Sequence, residues 1–289
     1  MRVLVTGSTG FIGRQFCKYK QDQFEIVALV RDINKVSFEN VEVRQFDGSY
    51  QSLVDALHGV DAVLHLATTY IAEHKAEDID QLIDSNLTFG TKILEAMVET
   101  KVNKLVNIGT TWQRYNGEEH RYVNLYATTK QAFQEIVNWY SDAKGLSVIN
   151  LHLNDSYGEE DSRKKLIQLL IERAEDGKPL NMSPGEQRFD ACYISDILNG
   201  VSIALDMLNK NEQLVNDTYA LLTGKDMSLR ELVRKIEQLV GKSICVNWGA
   251  REYRAREVME VPFEQYCILP NWVPEIDLDK GIKRMLKKQ

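Results

Sequence analysis

The sequence predicts an α/β protein: a doubly wound parallel sheet with helices on both faces, carrying a smaller interleaved α/β domain. Three observations predict it. A short apolar run at residues 3–5 meets a glycine-rich turn and then a helical pattern. Strand-like and helix-like segments alternate from there, as expected of parallel strands joined by crossover helices. The residues able to do chemistry fall at the carboxyl ends of the predicted strands, where such sheets bind ligands.

Bulk properties narrow the function. The chain has 289 residues, 44% of them hydrophobic, enough for a sizeable core. A formal net charge of −7 argues against a nucleic-acid partner. No apolar run is long enough to span a membrane, and the chain enters a strand at once, so neither a membrane span nor a secretory leader is expected. Cys17, Cys192, Cys245 and Cys267 are far apart and lack metal-ligand spacing. No metal is expected, and the thiols are read as mostly buried and unpaired, in a reducing cytoplasm.

The first strand ends in Gly7-Ser8-Thr9-Gly10-Phe11-Ile12-Gly13, which opens a helix reaching about residue 20. Gly7 permits a sharp turn, Gly10 a close backbone approach, and Gly13 the contact of helix with strand. Unpaired N–H groups and the positive dipole end then face outward, a seat for a pyrophosphate. Gly7, Thr9, Gly10, Phe11, Ile12 and Gly13 are therefore expected to hold a dinucleotide. Residues 24–30 form the second strand, ending in Arg31-Asp32. That strand end sits beside the adenosine ribose. Arg31 pairs with a phosphate but cannot accept from ribose hydroxyls, which favours NADP(H). Asp32, one residue on, keeps NAD(H) open.

Residues 41–46 form the third strand, ending at Asp47-Gly48, where an acid accepts from the adenine amino group. Residues 49–58 are helical and residues 61–67 a buried strand, whose end should set Leu66, Ala67 and Thr68 under the cofactor and Thr69 against the substrate. His65, inside the strand, is read as structural. Residues 78–100 carry apolar positions at helical spacing, interrupted by Asn86, whose buried amide needs partners. Residues 104–108 are the next strand, followed by Thr110 and Thr111.

Tyr126 and Lys130 lie four apart at the start of a helix reaching about residue 143, on one face. An ammonium one turn from a phenol favours the phenolate. Thr111 offers a hydroxyl to the same substrate oxygen.

With these residues in view the chain resembles the extended short-chain dehydrogenases/reductases that act on nucleotide sugars. The likeness covers nearly the whole chain. It rests on the glycine turn with Thr6, Phe46-Asp47-Gly48, His65-Leu66-Ala67, Asn86 to Thr91, Tyr126-x-x-x-Lys130, Tyr157-Gly158, Tyr193-Ile194-Ser195-Asp196 and Trp272-x-Pro274. It implies Tyr126 as proton donor/acceptor, Lys130 on the nicotinamide ribose and Thr111 at the substrate oxygen. It also implies Asn154 beside the nicotinamide, and a homodimer. The dehydratases of the family carry Asp-Glu directly after the catalytic Thr. Trp112 and Gln113 stand here, so a dehydratase is not expected. Within the family the chain is most similar to the nucleotide-sugar 4-ketoreductases of the CDP-abequose synthase type.

In the second half, residues 146–153 form a strand leading to Asn154 and Asp155, the latter able to accept from a sugar hydroxyl. Residues 162–175 and 195–208 read as helices and 217–222 as a strand. The resemblance places residues 1–160 and 192–223 in the dinucleotide domain and 161–191 and 224–289 in a nucleotide-sugar domain. Arg188 and above all Arg254 are the cations expected at the substrate diphosphate. Lys283, Arg284, Lys287 and Lys288 are read as the solvated end of a helix. The leading function is NADPH-dependent reduction of a nucleotide-linked 4-keto-deoxyhexose. The alternatives are a nucleotide-sugar 4-epimerase with tightly bound NAD, and a non-catalytic NAD(P)-binding regulator.

Overall fold

The computed structural model describes the chain except Ser37, Lys164, Lys288 and Gln289. Lys288 therefore lies outside the described residues. Among those residues, seven strands form one sheet in the order β11-β6-β5-β4-β1-β2-β3. They are β1 (Arg2–Thr6), β2 (Glu25–Val30), β3 (Glu42–Gln45), β4 (Ala62–His65), β5 (Lys104–Thr110), β6 (Ser147–Leu153) and β11 (Asn216–Leu221). Every pairing is parallel. The order reverses between β1 and β4, which opens a crevice at their carboxyl ends.

Alternation along the strands builds a core on each face. Val3 and Val5 join the core under α1 (Phe11–Tyr19) and α7 (Ile194–Lys210). Leu4 joins the core under α2 (Tyr50–Leu57), α4 (Phe89–Glu99) and α5 (Leu125–Lys144). Outside the sheet, β8 (Leu180–Met182) pairs with β13 (Val246–Trp248). Likewise β9 (Arg188–Phe189) pairs with β12 (Met227–Ser228). α8 (Leu229–Val240) packs beside α6 (Leu166–Asp176) and α9 (Leu278–Lys287).

Four expectations are corrected. The strand placed at residues 61–67 stops at His65, because the Thr6 hydroxyl accepts from the Leu66 and Ala67 N–H groups, both at 3.2 Å, and draws the chain off the sheet. The helix placed at 78–100 is not uniform: α3 (Ile79–Ile83) passes through a π-turn at Asp84–Thr88 before α4. The helix placed at 162–175 begins only at Leu166. Cys245 and Cys267 are exposed, while Cys17 and Cys192 are buried. Arg284, read as solvated, is exposed, with its guanidinium 5.4 Å over the Tyr193 ring.

Candidate active site

The crevice is a cleft of about 1100 Å³. That exceeds the ~300–1,000 Å³ of a drug-sized site and leaves room for a dinucleotide with a second ligand. Its floor is the glycine turn. The Gly10 N–H donates to the Gly7 carbonyl at 2.9 Å, and Gly7 has φ +67°. A Cβ on Gly7 would stand 2.7 Å from the Ala67 nitrogen, and one on Gly13 only 2.3 Å from the Gly7 carbonyl oxygen. Hydrogen at both positions is thus a steric requirement for the cradle.

Gly7, Thr9, Gly10, Phe11, Ile12, Gly13, Arg31, Leu66, Ala67, Thr68, Thr69, Tyr126, Asn154 and Asp155 all line this cleft. Asn86 explains how the 66–69 segment is held. Its side-chain oxygen accepts from the Thr69 N–H at 2.7 Å and the Thr68 hydroxyl at 3.0 Å. Its NH₂ donates to the Thr69 carbonyl at 3.0 Å and the Thr129 hydroxyl at 2.9 Å. The π-turn aims this buried amide at the loop, a common use of such turns.

α5 is started by Asn124, whose side chain accepts from the Ala127 N–H at 2.9 Å and donates to the Ala72 carbonyl. Such a cap contributes ~1 kcal/mol and fixes where the helix begins. Tyr126 therefore sits in the first turn with Lys130 one turn on. Both are buried, at 9% and 4% exposure. Burial pushes the Tyr126 phenol upward, helped by Tyr70, against the Thr68 hydroxyl and the Arg163 guanidinium. Burial alone lowers Lys130 to about 8. In the polypeptide alone, then, the expected depression of the phenol by Lys130 is absent: desolvation wins, and Tyr126 is a neutral acid. The Lys130 ammonium has no hydrogen bond or ion pair among the described residues, and Lys130 is not among the residues lining the cleft. His65 is structural as read. Its Nδ1 pairs with the Thr6 hydroxyl at 2.9 Å, and burial holds it near 3.

Other predicted site residues lie elsewhere. Thr110, not Thr111, reaches the cleft wall. The Thr111 hydroxyl donates to the Asn154 side-chain oxygen at 3.0 Å, so it steadies the turn after β6. Asp47 accepts from the Ser49 N–H ahead of α2, and neither it nor Gly48 lines the cleft. Arg188 is not brought there at all. It pairs through Nε and Nη2 with Asp226 at 2.8 and 3.1 Å, and Nη1 reaches Glu231 at 3.5 Å. Arg254 lies near enough to Tyr70 to favour its phenolate.

Sequence reading missed Tyr70, Trp112, Arg163 and Lys165, all in the cleft wall. Tyr70, half exposed, sets its ring edge-on to Tyr126 at 5.0 Å and lies 6.0 Å from Trp112. The three rings form one aromatic wall. Lys165 donates to Asp155 at 3.0 Å, so the acceptor offered by Asp155 is already partly engaged. The available signal for Tyr70 was its place directly after Thr69, at the end of the segment expected to face the cofactor and substrate.

Gln113, where dehydratases carry Glu, points inward and is 1% exposed. Its oxygen accepts from the Thr110 N–H at 2.9 Å, and its NH₂ donates to Gln131 and Gln134 at 2.8 and 3.0 Å. Gln113→Glu would leave a carboxylate facing two acceptors. We expect ~1–3 kcal/mol of destabilisation and a Tm several degrees lower by calorimetry, with no dehydration of substrate. A variant that melts like the parent, or that gains water elimination, would contradict the inward assignment.

Comparison with known proteins fits this geometry. The chain is 29% identical over 264 residues to CDP-abequose synthase of Yersinia pseudotuberculosis, covering 90% of this chain and 91% of the relative. It is 26% identical to that of Salmonella typhimurium, covering 99% and 97%. Its fold matches the crystal structure of Thermus thermophilus UDP-glucose 4-epimerase in complex with NAD at a TM-score of 0.84. That match has 22% identity and covers 99% and 98% of the two chains. The model of the NAD dependent epimerase/dehydratase family matches residues 3–219. By that match this chain, an NAD(P)-dependent enzyme, belongs to the NAD dependent epimerase/dehydratase family.

Proposed function

We propose that the chain reduces the ketone of a 4-keto-deoxyhexose carried on a cytidine or thymidine diphosphate, with NADPH as reductant. The observation that carries this is the aromatic wall of Tyr70 and Trp112 around the protonated Tyr126 phenol. The wall offers ring faces where a dehydratase has an acid. Ring faces suit the C–H surface of a deoxygenated sugar, and an uncompensated hydroxyl against them is unfavourable. The relatives named CDP-abequose synthase support the same substrate class.

A bound nicotinamide would supply the hydride. The glycine cradle and Arg31 would hold the dinucleotide, together with Leu66, Ala67, Thr68 and Lys130. Tyr126 donates its proton to the ketone oxygen as the carbon is reduced, and regains one from solvent. Thr110 and Thr111 steady the loop beside it, Asn154 borders the nicotinamide, and Thr69 and Asp155 face the sugar. Arg254 is the cation proposed for the substrate diphosphate. Residues 161–191 and 224–289 are proposed as the nucleotide-sugar domain, and the chain as a homodimer.

Cofactor choice has a direct test. Arg31 directly follows β2 on the cleft wall, and its guanidinium has no ion pair among the described residues. Arg31→Ala should weaken NADPH by about tenfold or more, one charge-assisted contact, and leave NADH nearly unchanged. Equal losses in a fluorescence titration would refute a 2′-phosphate role.

A further inference from the structure

We propose that Arg163 is a preset clamp on the pyrophosphate of the bound dinucleotide, closing the glycine cradle from the opposite side. The inference rests on the reading that a dinucleotide occupies the cleft. Arg163 follows β7 (Asp155–Tyr157), far in sequence from the glycine turn, yet it lines the same cleft. Its guanidinium carbon lies 4.5 Å from the centroid of Phe11, the first residue of α1. Phe11 is 4% exposed. The cation therefore stands over the helix start where the phosphates are expected.

The side chain is held in place before any ligand arrives. Nε and Nη2 each donate to Asp161 at 2.7 Å. Nη2 also donates to the Ser156 hydroxyl at 3.0 Å and to the Ser156 carbonyl at 3.3 Å. Nη1 has no partner among the described residues. Asp161 offsets much of the net charge, so the contribution is directional: a stacked, doubly anchored guanidinium with one nitrogen left to donate. A fixed donor loses little entropy on meeting a phosphate oxygen. The segment around it is itself tied to α1. Lys18 donates to Glu160 at 2.8 Å, and Gln15 donates to the Glu159 carbonyl at 3.3 Å. Its positive field also reaches Tyr126 and Tyr70.

The test measures dissociation constants by calorimetric titration for NADPH, NADH, ADP-ribose, adenosine 5′-monophosphate and CDP. Arg163→Gln should weaken NADPH, NADH and ADP-ribose alike, by about ten- to a hundredfold, and leave adenosine 5′-monophosphate and CDP unchanged. This differs from Arg31→Ala, which separates NADPH from NADH. Losing Arg163 leaves Asp161 unpaired, so Arg163→Lys is the second variant. It keeps a charge for Asp161, should melt like the parent, and should still bind ADP-ribose several-fold more weakly. Unchanged ADP-ribose affinity in a variant that melts like the parent overturns the clamp. A loss confined to CDP overturns it too, by assigning Arg163 to the substrate diphosphate. A parent protein that binds no dinucleotide would remove the underlying reading as well.

Discussion

Tyr126→Phe is expected to lower turnover by about 10²–10⁴-fold, the usual contribution of a positioned acid, while leaving NADPH affinity nearly unchanged. The replacement keeps the ring that meets Tyr70 edge-on and fills the start of α5. It removes only the phenol oxygen. Burial holds that phenol protonated in the polypeptide, the state required of a proton donor to a ketone oxygen. The cradle and Lys130 are untouched, so cofactor binding should persist. Steady-state kinetics with a fluorescence titration of NADPH separates the two effects. Full turnover by the variant would remove Tyr126 from the reaction, and a parallel loss of NADPH affinity would make its role structural.

Gly13→Ala is expected to damage stability and cofactor binding together. The new methyl would meet the Gly7 carbonyl oxygen at 2.3 Å and the Ser8 Cα at 2.7 Å, both backbone atoms. Neither can swing aside as a side-chain tip would, so α1 must lift from the turn. Overpacking of this kind costs about 1–3 kcal/mol, a Tm drop of several degrees. The same lift disperses the N–H groups that face the phosphates, so NADPH affinity should fall at least tenfold. Gly145→Ala is the control, since a Cβ there meets nothing within 4 Å. Its left-handed φ of +74° brings a conformational cost only, with no loss of NADPH affinity. A Gly13→Ala variant with parental melting and binding would show that the close contact is not required.

The fold was legible because it is written in local periods. Apolar runs at β1, β2, β4 and β5 and the glycine turn each announce themselves within ten residues. The site was legible in part. Tyr126 and Lys130 share a helix face, and helical spacing alone brings them together. Asn86 stood out as an amide in an apolar face, though not the π-turn that aims it. What lay hidden depends on contacts distant in sequence. Nothing local says that Arg188 meets Asp226 and Glu231, or that Thr111 turns to Asn154. Arg163 reaches Phe11 across more than half the chain, and no motif marks it. The phenol's surroundings lay hidden for a related reason: spacing reveals the neighbouring ammonium but not the depth of burial, which raises the phenol in the polypeptide alone.

In the proposed reaction Tyr126 delivers a proton to a sugar ketone while NADPH is consumed. The most direct measurement follows NADPH oxidation and sugar product together, with a nucleotide-linked 4-keto-deoxyhexose as substrate. One NADPH should be oxidised for each sugar reduced. Conversion of the sugar with no net change in cofactor would contradict it and establish a 4-epimerase instead.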